Sequence, residues 1–341
     1  MSMTTSQLRH VAGHLLTPLL MCLGMAFAYL GAFHQPTPNH LELAVVGDSP
    51  QAMVLAQTMK DKAGSKVDIV TVPDRAAAID ALNERELIGA YVPDTQHPEL
   101  LVATAGSDTS AMAAEVAFRQ VSDHQGVPLV VTDITAKADG DPTGQGLFFL
   151  LVALSVGAYG SVAVIGAAGA MLRMRVRAAV GMVTALVVSL IGVLVAGPAF
   201  GVIDHDYAAV FGIAWLYSAG IILIGIGLHT FLKRWTTLAL ITLFVMLNFT
   251  TSGGVYGPQL QNGFFGALHA FWNGADFVEG LRSLLYFESA AGFGTRLLGL
   301  LGWLAVGVLL VVVAGRYEAR NQPKPVAAAA VEEEIGEAVA V

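Results

Sequence analysis

The chain has 341 residues, of which 55% are hydrophobic and only 13% charged, with a mean hydropathy of +0.64. Soluble domains carry about 25% charged residues, so this composition excludes both a water-soluble globule and a disordered chain. The net charge of −8 leaves no basic field for nucleic acid, and the single cysteine, Cys22, excludes an intramolecular disulfide and a thiolate metal cluster.

A membrane-crossing helix needs about 20 mostly apolar residues. The first stretch to qualify is 15–33, preceded by a polar N-terminus at 1–14. Ala26-Phe27-Ala28 fits a signal-peptidase site, but the apolar run continues through Tyr29, Leu30 and Phe33, which favours a retained anchor. Residues 34–146 then change character, holding 16 of the 26 acidic and seven of the 18 basic residues. Runs at 41–47, 66–72, 87–92, 100–105 and 127–132 read as strands, and helices are expected after Ser49, Asp74 and at Asp108. Strands alternating with helices predict a small α/β domain with a sheet.

Further apolar stretches follow at 147–169, 180–200, 208–232, 236–248 (with a polar end at 250–252) and 297–315. The expected fold is therefore an α-helical integral membrane protein with six transmembrane helices, and an extracytoplasmic α/β domain inserted between helices 1 and 2. Lys and Arg fix its orientation. Arg9, Arg173, Arg175, Arg177, Lys233, Arg234, Arg316, Arg320 and Lys324 all fall on one side, while 201–207 carries only Asp204 and Asp206. Both termini are expected in the cytoplasm, in the plasma membrane, with 316–341 a disordered tail. Between the last two spans, 259–272 and 275–287 read as two helices around an Asn273-Gly274 turn. At about 20 Å each they are too short to cross, so 259–287 is expected to be a helical hairpin dipping in from the outer face.

No Gly-Lys-Ser/Thr phosphate loop, Gly-x-Ser-x-Gly elbow or His-Glu-x-x-His motif is present, so no enzyme activity, cofactor or metal is expected. His34 with His40, and Asp204-His205-Asp206, lack a complete ligand set and read as solvated loops. The predicted spans hold almost no ionisable residues away from their ends, which disfavours a proton- or ion-coupled carrier. Two charged groups stand out. Arg173, Arg175 and Arg177 lie between spans two and three, with Arg173 and Arg177 on one helix face, as a positive-inside anchor or a docking helix. Asp276, Glu279 and Arg282 recur at i, i+3 and i+6 on the second hairpin helix, as a self-satisfying ion pair or the lining of an exit path.

The layout resembles the ABC-2 type exporter permeases, in the branch that includes the phage-infection-protein-like membrane proteins. The likeness rests on 41–47 with Leu87-Ile88-Gly89-Ala90-Tyr91-Val92-Pro93, on Asn248-Phe249-Thr250-Thr251-Ser252-Gly253-Gly254, and on Leu281-Arg282-Ser283-Leu284-Leu285-Tyr286-Phe287. It departs at Trp272-Asn273-Gly274, where such relatives carry a proline. The resemblance implies a homodimer and a cytosolic ABC ATPase partner that docks at Arg173, Arg175 and Arg177. It also implies an amphipathic or lipid-like substrate. The rival expectation is a non-transporting scaffold or receptor whose outer domain binds an envelope partner.

Overall fold

The structure, a computed structural model, describes residues 5–321. It opens with α1 (Thr5–Phe33), which begins well before residue 15 because a helix continues through polar residues that a hydropathy window discards. The sheet unit comes next: β1 (Leu41–Val46), α2 (Pro50–Ala63), β2 (Val67–Val72), α3 (Arg75–Asn83), β3 (Gly89–Val92), β4 (Glu99–Val102), α4 (Asp108–Gln125) and β5 (Val130–Asp133). Side-chain caps start its helices: the Ser49 hydroxyl accepts from the Ala52 N–H, with Pro50 at the first helical position, and Asp74 Oδ1 accepts from the Ala77 N–H.

The strand order is β2-β1-β3-β4-β5; β1 runs parallel to β2 and β3, β4 is antiparallel to β3, and β5 is parallel to β4. Strand alternation splits the apolar residues into two cores. Leu41, Leu43, Val45, Tyr91 and Leu100 pack with α2 and α4, while Ala44, Val46, Ala90 and Leu101 pack with Ala78 and Leu82 of α3.

The rest of the described chain is mainly helical: α5 (Gly146–Ala168), α6 (Met174–Leu194), α7 (Tyr207–Leu232), α8 (Thr236–Ile241), α9 (Asn248–Thr251), α10 (Gly263–His269), α11 (Asn273–Tyr286) and α12 (Phe293–Asn321). Among the described residues, five stretches are long and apolar enough to cross a membrane: Val11–Phe33, Gly146–Ala168, Met174–Ala199, Tyr207–Thr251 and Phe293–Asn321. By length and composition this is a multi-pass helical membrane protein. The helix containing α6 widens into a π-helical turn over Val195–Ala199, where Pro198 cannot donate its backbone hydrogen bond.

The fourth stretch, 45 residues, would be ~68 Å long if straight, more than twice a ~30 Å hydrocarbon core. Instead it doubles back at Lys233, whose φ is +48°. Leu240 packs against Gly225, and Asn248 Nδ2 donates to the Tyr217 hydroxyl at 2.7 Å, two pairs symmetric about that reversal. The returning limb is π-helical over Thr242–Leu247 and carries Met246 against Gly24 of α1.

Two boundaries differ from expectation. The tail expected from 316 is helical to Asn321 as part of α12, and residues 322–341 lie outside the described residues. The hairpin is asymmetric: α10 has seven residues after a 3-10 turn at Pro258–Leu260, and Asn273-Gly274 starts α11 rather than forming the reversal. The cause is tertiary. The Gly274 N–H donates to Asn248 Oδ1 at 3.2 Å, so the returning limb caps the first turn of α11, and Trp272 Nε1 donates to the Leu243 carbonyl at 3.1 Å.

Candidate functional site

The sheet unit sits on the end of the helical bundle where α11 is buried. Backbone and side-chain bonds join them: the Asn39 N–H donates to the Gln259 carbonyl at 2.8 Å, Thr109 Oγ1 to the Val255 carbonyl at 3.2 Å, and Ser289 Oγ to the Asn83 carbonyl at 3.0 Å. Between the two lies a charged network centred on Glu279. Arg282 Nη1 donates to Glu279 Oε1 at 2.8 Å and to the Gly253 carbonyl at 2.9 Å. From the sheet unit, Arg85 Nη2 donates to Glu279 Oε2, and its Nη1 to Ser283 Oγ at 2.7 Å, while its guanidinium lies 5.1 Å over the Phe287 ring. Glu279 is 4% exposed and Arg282 3%.

Arg85 holds this position from a left-handed backbone, φ +63°, immediately after α3. That conformation costs a non-glycine residue about 1–2 kcal/mol, which the surrounding bonds must offset. Gly253, φ +76°, is the matching constraint on the other side: a Cβ there would lie 2.9 Å from Glu279 Oε1 and from His269. Burial would raise the Glu279 carboxyl, but Arg85 and Arg282 outweigh it and hold it well below the usual carboxylate range.

Asp276 does not join this network, although its spacing from Glu279 predicts a shared face. Its Oδ1 lies 3.4 Å from Arg296 Nη1 of α12, and its buried Oδ2 has no partner. Burial pushes its carboxyl up to about 6, only partly opposed by Arg296. Deeper in the bundle a neutral polar chain runs from Asn248 through the Tyr217 hydroxyl to Ser155 Oγ, 2.5 Å away, with the Phe277 ring of α11 tilted at 37° and 4.8 Å from the Tyr217 ring.

At the opposite end, α5 and α6 are joined only by 169–173, and no separate helix lies between them. Arg173 occupies the N-cap of α6 with extended backbone, so it does not share a helix face with Arg177. Arg173 and Arg175 are exposed. Arg177 turns inward and pairs with Glu318 of α12, whose other oxygen accepts from Thr230 Oγ1 at 2.8 Å. Of the three arginines, Arg177 is thus engaged inside the bundle, by a carboxylate that the sequence places in the tail.

Arg85 and Arg296 are the site residues that sequence reasoning missed. Arg85 lies in the polar run Asn83-Glu84-Arg85-Glu86, indistinguishable from a solvated turn, and its partner is 194 residues away. Arg296 lies one residue outside the apolar stretch predicted at 297–315, and so reads as a span end.

A cavity of about 310 Å³ remains between the sheet unit and α11, lined by apolar side chains that include Leu82, Ile88 and Phe287 and by Arg85, Glu279 and Arg296. Comparison with family models, with curated proteins and with solved structures finds no match to this chain.

Proposed function

We propose that the chain is the membrane-spanning subunit of an exporter similar to the ABC-2 type permeases. In this reading it moves an amphipathic or lipid-like molecule across the plasma membrane, with energy from a separate cytosolic ATPase. The reversal at Lys233 then divides Tyr207–Thr251 into two crossings, giving six in all. The sheet unit faces outward, both termini lie in the cytoplasm, and two copies form the working unit.

One observation carries the reading. A bundle that only anchored an outer domain would need no polar interior, because unpaired polar groups in an apolar surround are costly. Here α11, about 21 Å long and too short to cross, is buried in one end of the bundle with Asp276, Glu279 and Arg282. The polar chain through Asn248 and Tyr217 to Ser155 continues inward from it. A path for an amphipathic substrate needs such groups.

The test is affinity isolation of the full chain from its native membrane. A nucleotide-binding protein that co-purifies, and whose ATP hydrolysis rises when the chain is present, is the expected outcome. A second reading, a non-transporting scaffold or receptor, is favoured by the linker at 169–173: it has no helix of its own, and of the three arginines only Arg173 at its end and Arg175 in the first turn of α6 are exposed. Isolation without any ATPase, with an envelope protein bound to the sheet unit, would establish that alternative.

A further inference from the structure

We propose that the cavity between the sheet unit and α11 binds an anionic amphiphile, its oxyanion held by Arg296 and its short apolar portion lying along Leu82, Leu87, Ile88 and Phe287. The exporter reading bears only on what happens to the ligand afterwards; binding here needs no transport.

The cavity, about 310 Å³, is at the small end of small-molecule sites, which span about 300–1,000 Å³. It opens to solvent, so a ligand longer than the cavity can project outward. Its walls come from both parts of the molecule: Leu82, Leu87 and Ile88 from the sheet unit, and Phe287 at the end of α11. Together they form an apolar surface facing fixed charge.

The charge is unevenly used. Arg85 and Glu279 satisfy one another, and Glu279 is also held by Arg282. Arg296 is different. Only its Nη1 is engaged, at 3.3 Å to the His269 carbonyl and 3.4 Å to Asp276 Oδ1, both long for hydrogen bonds, and among the described residues it donates no other. A guanidinium carries five N–H donors, so most of this fork is unused. Three guanidinium groups, those of Arg85, Arg282 and Arg296, share two buried carboxylates, Asp276 and Glu279, which leaves one positive charge in excess. Glu84 also lines the cavity, but it is exposed and screened by water.

These features select the ligand. A cation would meet Arg85 and Arg296, and a neutral molecule would leave the excess charge unanswered. A carboxylate or phosphate ester takes the free edge of a guanidinium in the bidentate geometry that suits both partners. A small inorganic anion would leave the apolar wall bare. Gly106 and Ser107, at the start of the 18-residue helix α4, lie on the same wall and add the positive end of its dipole.

Titration calorimetry of the full chain in neutral detergent tests the assignment, with hexanoate, hexylamine, acetate and dihexanoyl phosphatidic acid as probes. Hexanoate or the phosphatidic acid should bind, the tighter of the two showing whether a free acid or a lipid headgroup is the source. Hexylamine and acetate should bind at least about tenfold more weakly. Arg296→Gln should weaken the anionic probe about 10–100-fold, the worth of a hydrogen bond to a charged group. Arg296→Lys should restore part of that loss, and Ile88→Ser should weaken hexanoate without affecting acetate. Equal binding of hexylamine, equal binding of acetate, or an Arg296→Gln protein with wild-type unfolding temperature and undiminished hexanoate binding would overturn it. If Arg296→Gln does not fold, the hexylamine comparison and Ile88→Ser still decide. Absence of hexanoate and phosphatidic acid binding, with an ATPase still co-purifying, removes this site and leaves the exporter reading standing; the reverse pattern separates the two the other way.

Discussion

The two ends of the bundle each hold a buried arginine on a glutamate, and they are built differently. At the sheet end, both oxygens of Glu279 are taken by arginines from separate segments, one of them in the sheet unit, and the carboxylate side chain is 6% exposed. At the far end, Arg177 meets Glu318 alone, and that side chain is 29% exposed. The first arrangement ties three pieces of chain together and cannot lose a member without burying an unmatched charge. The second ties two helices, and water can replace part of what is lost. Burial and the number of segments joined, more than the presence of an ion pair, decide what each site is worth.

The largest expected effect follows from that difference. Glu279→Gln should leave Arg85 and Arg282 facing a neutral amide and cost about 3–5 kcal/mol, read as a fall in unfolding temperature and faster proteolysis between the sheet unit and α11. Neutralising only Glu279 and Arg282 should not rescue it, because Arg85 remains. The triple change Arg85→Gln, Glu279→Gln, Arg282→Gln should be closer to wild type than Glu279→Gln alone. A triple variant no more stable than the single would show that the network is not a matched set.

Next in size is Gly253→Ala. It places a Cβ in left-handed backbone and 2.9 Å from both Glu279 and His269, so a loss of at least about 1–2 kcal/mol is expected. Gly212→Ala, inside α7 with open space around the added atom, is the control and should be neutral or stabilising by up to about 1 kcal/mol.

Acid should distinguish the two buried carboxylates of α11. A carboxyl whose folded value is depressed contributes stability above its ordinary value, about 4.5 for Glu279, and that contribution disappears as pH falls through the lower folded value. The unfolding temperature should therefore drop below about pH 4.5, and Glu279→Gln should abolish that part of the slope. Asp276, raised to about 6, has the opposite sign: as pH falls through 6 its protonation favours the fold, so Asp276→Asn should flatten that rise.

At the far end the effects are smaller and separable. Arg177→Gln should cost about 1 kcal/mol, since Glu318 is part-solvated. Arg173→Glu with Arg175→Glu should leave stability unchanged and reduce association with an ATPase, if the exporter reading holds. The exposed Arg75–Glu99 pair of the sheet unit sets the lower limit: Arg75→Gln should change stability by no more than about 0.5 kcal/mol.

Much of the architecture was legible in the sequence, because burial in lipid and alternation in a sheet both write regular apolar patterns. The caps at Ser49 and Asp74 were readable for the same local reason, each needing only neighbours within one turn. The Glu279–Arg282 pair was also local, three residues apart on one helix. What failed was everything decided by distant chain. Arg85 became a site residue through a helix 194 positions away, and the Asp276 carboxylate, on the face it shares with Glu279, pairs instead with Arg296 of α12. Asn273-Gly274 reads as a turn on residue type, yet it begins a helix because Asn248 supplies the cap. Arg177 faced inward because Glu318 belonged to a helix that outlasts its apolar residues.

Whether Arg85 on Glu279 holds the sheet unit and α11 as one body is tested most directly by a double-mutant cycle. Arg85→Gln, Glu279→Gln and the combination would be unfolded in the full, solubilised chain. A coupling free energy of about 2 kcal/mol is predicted, within the range seen for contacting charged groups. Strict additivity, to within about 0.5 kcal/mol, would mean that the two side chains do not depend on each other and would contradict the account.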